Sequence, residues 1–240
     1  MRRFFAENME LAGDTVVLTG DEARHVSAVL RMQAGDRVLL IDGAGTECEA
    51  EIVSSKEDRV ELRVTARREG QAEPETKVTL FQCLPKQGKM EVVIQKCVEL
   101  GVHAVVPAVS RRCVVKPSGN DNKLTRWNKV SQEAAKQCGR AFVPEVMRPV
   151  SLDKIDLSGY GLVLLAYENE SERSLKQALC ERPGVSDIAI IIGPEGGFEP
   201  AEAEDIVKKG GVTVSLGKRI LRTETAGMAM LAQIMYETES

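Results

Sequence analysis

The sequence predicts a two-part α/β protein, with a small, mostly antiparallel β barrel over residues 1–72 and a mainly parallel α/β unit over 73–240. Three observations predict it. Short runs alternate apolar and polar residues up to about Arg68, a polar stretch from Glu69 to Thr76 carries Gly and Pro without apolar periodicity, and from Val78 strand patterns alternate with helical ones.

In the first part, Asp36–Asp42 and Arg59–Thr65 alternate at the two-residue period of half-buried strands, with Gly43-Ala44-Gly45 as a turn. One helix interrupts them. Thr19-Gly-Asp-Glu22 has the spacing of a capping box, and Ala23, Val26, Val29 and Leu30 follow at helical intervals. After the polar boundary, Val78–Leu84 reads as a strand and Lys89–Leu100 as a helix that Gly101 ends. Further strands are expected at Ala104–Val109, Gly161–Tyr167, Asp187–Ile192 and Val212–Leu216. The intervening helices are expected near Leu124–Cys138, Ser174–Leu179, Ala201–Lys209 and Glu224–Tyr236. Strands separated by helices favour parallel pairing, because a crossover needs that much chain.

A 240-residue chain with 43% hydrophobic residues can bury a full core. No apolar run approaches the roughly 18 residues of a membrane span, and the segment from Met1 to Glu7 turns polar too soon for a signal peptide, so the expected location is the cytoplasm. Six cysteines carry no Cys-x-x-Cys pair and the two histidines, His25 and His103, lie far apart, so no metal site is expected and most thiols read as small core side chains. The net charge of −4 hides an uneven distribution. Between Ser110 and Arg140, eight basic residues stand against Asp121 and Glu133, a pattern that fits either a phosphate-contacting patch or a solvated helical face.

Two loops could carry chemistry. Gly193-Pro-Glu-Gly-Gly197 follows an apolar strand and precedes Pro200, and its glycines let the main chain offer N–H and C=O groups to a ligand. The same residues also suit a plain strand-to-helix connection, with Pro200 at the first helical position and Glu199 and Glu202 at the positive end. In the second loop, Leu216–Ala226, Thr223 is placed to cap the last helix, Glu224 suits its N-terminus, and Met228, Leu231 and Met235 form an apolar stripe. Arg222, beside a cap and a glycine loop, is suited to an anion or a base edge. Neither a nucleotide-triphosphate loop nor a Gly-x-Gly-x-x-Gly fingerprint is present, which removes two common cofactor classes.

The Gly193–Phe198 loop, the Leu216–Ala226 loop, the Leu84-Pro-Lys86 segment with the helix to Gly101, and the Arg126–Arg140 segment together resemble the RsmE family of SPOUT-class methyltransferases. So do the N-terminal Arg3-Phe4-Phe5 and His25–Arg31 segments, and the likeness covers nearly the whole chain. Cys113 and Cys138 stand where small or polar residues look more usual. The resemblance implies a PUA-like N-terminal barrel, a C-terminal domain with a trefoil knot, a homodimer, and methylation of N3 of one uridine in 16S rRNA of the small ribosomal subunit from S-adenosyl-L-methionine.

It further implies that the cofactor lies against Leu165, Gly193, Glu195, Gly197, Ser215, Leu216, Gly217, Ile220, Leu221 and Ala226. Methyl transfer from a sulfonium needs alignment and a deprotonated acceptor rather than a metal, because the leaving sulfide is neutral. Arg222 is expected to steady the uracil anion, and Glu195 or Glu224 is nominated as the base. RNA contacts are expected at Arg3, His25, Arg31, Lys86, Arg111, Arg112 and Arg140. Two other classes fit the residues taken alone: an RNA-binding assembly factor without cofactor affinity, and a nucleotide-dependent enzyme acting on a small molecule.

Overall fold

A computed structural model describes residues 1–6, 13–86, 88–116 and 121–239. Residues 7–12 of the N-terminal alternation and 117–120 of the basic segment lie outside the described residues. The chain forms two compact units, Met1–Glu73 with Ala135–Val143, and Pro74–Ala134 with Pro144–Ser240. The expected division at residue 72 sits beside the observed Glu73–Pro74 break, while the return of 135–143 to the first unit has no counterpart in the sequence reading.

The N-terminal unit is a curled five-stranded sheet built from β1 (Arg2–Phe5), β2 (Thr15–Thr19), β3 (Arg37–Ile41), β4 (Thr46–Lys56) and β5 (Arg59–Glu69). Its order is β1-β3-β4-β5-β2, with β1 parallel to β3 and the other pairs antiparallel. β4 and β5 form the long hairpin, and register shifts at Glu49/Ala50 and Ile52/Ser54 curl it by the extra twist that bulges introduce. The alternation drives Val38, Leu40, Ala50, Ile52, Val60 and Leu62 into one core with Phe4, Val16 and Leu18. Among the described residues β1 and β2 end the sheet without pairing to each other, so the expected barrel is a half-barrel.

Helix α1 (Gly20–Arg24) runs into a π-helical turn at His25–Val29. The capping box expected there does not close. Thr19 makes no side-chain cap bond, and the Glu22 carboxylate instead accepts from Lys136 Nζ at 2.5 Å. The wider π turn also rotates the helical face, leaving Val29 exposed although Ala23 and Val26 are buried.

In the C-terminal unit the strands are β6 (Lys77–Cys83), β7 (Ala104–Val109), β8 (Glu145–Val146), β9 (Val150–Ser151), β10 (Leu162–Ala166), β11 (Asp187–Ile192) and β12 (Val212–Val214). The sheet is parallel throughout, ordered β12-β10-β11-β6-β7-β8, with β9 also on β7. The helices are α2 (Lys89–Glu99), α3 (Asp121–Cys138, its last turn in the first unit), α4 (Leu175–Cys180), α5 (Pro200–Lys208) and α6 (Thr223–Thr238). Burial on both faces explains the continuous apolar strands such as Leu162–Ala166. One face carries α2 and α6, which pack on each other. The other buries Phe81, Val106, Leu165, Ile191, Phe198 and Ile206 in one cluster. Gly227 allows α6 to lie close to β6, because a Cβ there would stand 3.1 Å from Gln82 Oε1. On α6, Leu231 and Met235 are buried as expected, but Met228 is only half-buried and Met230 and Ile234 complete the stripe.

Candidate active site

The loops expected to carry chemistry meet at the carboxyl ends of β10, β11 and β12. Ala166–Glu168, Ile192–Gly197 and Val214–Ala226 surround a cavity of about 510 Å³, with Lys89 completing its lining. That size lies within the range of small-molecule sites, and the carboxyl edge of a parallel sheet is where such sites form. Gly193, Glu195, Gly197, Ser215, Leu216, Gly217, Ile220, Leu221 and Ala226 all line it, as does Arg222. Leu165 does not. Its side chain is fully buried in the core below, because alternation along β10 turns it away, and Ala166 lines the cavity in its place.

Local sequence explains the lining. Gly197 takes φ +67°, and its bare Cα lies against the Glu168 carboxylate, where any Cβ would collide. On the rim, Ile220 is 90% exposed, an apolar side chain with no covering from its own chain.

Thr223 does not cap α6. Arg222 holds the N-cap position without a side-chain cap bond. The Thr223 hydroxyl donates to the Gly193 carbonyl at 2.5 Å and accepts from Gln82 Nε2 at 2.9 Å. Both side chains are buried, so this pair ties the start of α6 to β6 and to the Gly193 loop, and a hydroxyl committed to the carbonyl cannot also cap.

At the mouth, one lysine holds both nominated bases. Lys89 Nζ lies 3.4 Å from Glu195 Oε1 and 3.1 Å from Glu224 Oε2. Glu195 also accepts from the Lys86 backbone N–H at 3.1 Å. Burial pushes the Glu195 carboxyl up, but its own backbone N–H, that of Lys86 and the Lys89 ammonium outweigh this and hold it below the usual glutamate range. Such a carboxylate is a weaker base than an ordinary one. Among the described residues the Arg222 guanidinium has no hydrogen-bond or ion-pair partner, and it is exposed at the cavity rim.

Sequence reasoning missed Lys89, Glu168, Tyr167 and Arg219, all of which line the cavity. Lys89 had one available signal, its place at the first turn of a helix that opens just after the Leu84-Pro-Lys86 segment. Glu168 had none, since its role depends on a contact with a loop nearly thirty residues on.

The residues expected to touch RNA are divided between the two units. In the first, Arg3 ion-pairs with Glu47 at 3.8 Å, His25 stands edge-on to the Phe4 ring at 6.0 Å, and exposed Arg31 adopts φ +52°. Arg140 is 3% exposed, and its guanidinium is spent on Glu73, at 2.7 Å from Nη2 and 3.0 Å from Nε. It therefore leaves the set of groups open to RNA. In the second unit Lys86 is exposed, Arg111 pairs with Glu199 at 3.0 Å, and Arg112 Nη1 donates to the Gly196 carbonyl at 3.0 Å.

A family profile described as an RNA methyltransferase domain matches residues 72–235, and one described as an RNA methyltransferase PUA domain matches residues 18–65. Ribosomal RNA small subunit methyltransferase E of Bacillus subtilis is 36% identical over 251 aligned residues, covering 100% of this chain and 98% of the relative. The chain belongs to the ribosomal RNA small subunit methyltransferase E family. Its Synechocystis member is 35% identical over 94% of this chain and 74% of its own length. The crystal structure of the Neisseria gonorrhoeae member, bound to S-adenosyl methionine, matches with a TM-score of 0.85 and 32% identity over 99% of this chain and 98% of that one. Membership fits the curled PUA-like sheet and the parallel α/β unit described above. Among the described residues no helix is long and apolar enough to cross a membrane, and no group of His, Cys, Asp or Glu could hold a metal ion.

Proposed function

We propose that this protein methylates N3 of a uridine in 16S rRNA of the small ribosomal subunit, taking the methyl group from S-adenosyl-L-methionine. The observation that carries the reading is the cavity itself: two main-chain loops enclose it at the sheet edge, and an arginine without a partner among the described residues stands at its rim. The residues fit that cofactor. Gly193, Gly197, Ser215, Leu216, Gly217 and Ala226 would hold it through main-chain groups and close approach, with Leu221 and exposed Ile220 covering the adenine. When bound, S-adenosylmethionine supplies an electrophilic methyl group whose departure leaves a neutral sulfide.

The chain's own residues then have three tasks. The two loops would hold the donor fixed beside the acceptor base, which would remove much of the entropic barrier. Arg222 places positive charge where the uracil anion develops. Glu195 or Glu224 would serve as the base; Glu195 lines the cavity but its carboxyl is held below the usual glutamate range, while Glu224 pairs with Lys89 at the start of α6. Lys89 holds both carboxylates, Glu195 in the cavity lining and Glu224 beside it at the start of α6, and offsets their charge beside a polyanion.

Arg3, His25, Arg31, Lys86, Arg111 and Arg112 form the proposed RNA-facing set, from which burial removes Arg140. A homodimer in the cytoplasm is part of the reading. What supports the dimer is apolar exposure on the paired helices α2 and α6, at Val92 and Tyr236, and at Leu100 just past the end of α2. The trefoil knot, which the family resemblance implies, belongs to the reading too; what supports it is that α6, which follows the β12 edge of the sheet, packs on α2 and against β11 and β6. The test is transfer of labelled methyl groups to small subunits that lack the mark. One methyl per subunit, mapped to uridine N3, is the expected result, and unmodified particles beside folded, cofactor-bound protein would end the proposal.

A further inference from the structure

Behind the Gly193–Gly197 loop lies a pair of thiols that methyl transfer does not use. Cys83 is the last residue of β6, fully buried, and faces Ala108 across the β6–β7 pairing. Cys113 sits half-buried in the turn that follows β7, where its Sγ lies 4.0 Å from the same Ala108 carbonyl. Both thiols pack in the same core cluster as Phe198, whose ring underlies Gly193. Each thiol is the strongest single influence on the acidity of the other, and the Leu84 backbone N–H, next to Cys83, also bears on Cys113. Cys113 is also served by Ser110, with both the backbone N–H and the hydroxyl 3.4 Å from its sulfur.

We propose that Cys113 and Cys83 form an oxidation site, in which Cys113 reacts with a peroxide-class oxidant and Cys83 closes a disulfide upon it. The Cys113 thiolate attacks one peroxide oxygen, the O–O bond breaks, and hydroxide leaves to take a proton as water, giving a sulfenic acid. The Cys83 sulfur then attacks the sulfenic sulfur. The S–O bond breaks, the Cys83 proton goes with the departing oxygen as a second water, and two thiols have lost two electrons to the peroxide.

The division of labour follows from the surroundings. The hydrogen bond from Cys83 is the largest influence on Cys113, and with those from Ser110 it lowers the thiol to about 6 against the opposing effect of burial. Cys83 shifts the other way, through the same hydrogen bond and its burial, and so keeps its proton until the second step. The consequence reaches the cavity, because Arg112, one residue before Cys113, donates to the Gly196 carbonyl at 3.0 Å. A disulfide would pin that turn to β6 and hold the Gly196 contact fixed.

The experiment treats the full chain with hydrogen peroxide at neutral pH and maps thiols by mass spectrometry without reduction. The expected product is a Cys83–Cys113 linked peptide pair, formed while Cys48 and Cys97 stay reduced. Cys83→Ala should instead leave Cys113 as a sulfenic acid that dimedone traps, and Cys113→Ser should leave Cys83 unoxidised. Because a change at buried Cys83 could disturb folding, the unmodified chain gives a second readout: alkylation of Cys113 by iodoacetamide, followed against pH, should have its midpoint at about 6. A midpoint near the ordinary thiol value of about 8.5, or Cys113 remaining reduced while exposed Cys180 oxidises, overturns the proposal.

Discussion

Replacing Thr223 with Val should loosen the C-terminal unit and the cavity together. Valine keeps the volume but removes the hydroxyl that donates to Gly193 at 2.5 Å and accepts from Gln82 at 2.9 Å. Gln82 Nε2 retains a bond to the Cys83 carbonyl at 3.1 Å, so the main loss is at the Gly193 carbonyl, left facing a methyl group at a half-buried position on the cavity lining. One half-buried acceptor deprived of its partner and one lost donor bond together cost about 2 kcal/mol. That is roughly a thirtyfold fall in the folded-to-unfolded ratio, or a urea midpoint lower by about 1 M at a slope of about 2 kcal/mol per M. Trp127, the single tryptophan and a buried residue of the same unit, reports the transition by fluorescence. Thr223→Ser, which keeps the hydroxyl, should lose less than half as much. A Thr223→Val midpoint within about 0.2 M of the parent, about 0.4 kcal/mol at that slope, or a serine variant equally weakened, would refute the assignment of Thr223 as the tie between the two loops.

Arg222→Ala should lower methyl transfer by about 10²- to 10³-fold, the loss seen when one preorganised donor to a developing charge is removed, with S-adenosylmethionine affinity by calorimetry nearly unchanged. Glu73→Gln should destabilise the N-terminal unit by about 3 kcal/mol, since it strips the buried Arg140 guanidinium of its charge partner; thermal unfolding of the full chain measures it. Glu195→Gln tests the depressed carboxyl. A group whose folded value lies below its unfolded one stabilises above the unfolded value and loses that stabilisation as pH falls through the folded one, so the parent's advantage over the glutamine variant should be full at neutral pH and vanish in acid.

Much of the fold was legible because its signals are periodic. Ala104–Val109 and Asp187–Ile192 begin and end where the apolar runs do, and Pro200 at the first position of α5 with the Glu199/Glu202 pair marked a helix start that the structure contains. β8 and β9 were illegible for the opposite reason: two residues cannot display an alternation. Glu22 shows a different failure. Its spacing from Thr19 suits a capping box, but Lys136, more than a hundred residues away, offered the carboxylate a full charge in place of a backbone N–H. Arg140 failed in the same manner, since nothing local to a basic segment reveals Glu73.

The cavity followed the same division. Glycines and the arginine beside a helix start announced the two loops, and those loops do enclose one space. What local sequence withheld were the groups that arrive from elsewhere: Lys89 between two glutamates, Glu168 against Gly197, and the hydroxyl of Thr223 turned from capping to a carbonyl thirty residues back. Each depends on sheet order, which places β12, β10, β11 and β6 side by side although the chain visits them far apart.

The most direct test of the account is calorimetric titration of the purified chain with S-adenosylmethionine, run beside Gly197→Val, a substitution that forces a branched side chain onto a φ of +67° and into the Glu168 carboxylate. The account predicts one cofactor site per chain in the parent and its loss in the variant while the circular dichroism of both stays the same. A folded parent that releases no binding heat at several temperatures, or a Gly197→Val variant that binds as the parent does, would contradict it.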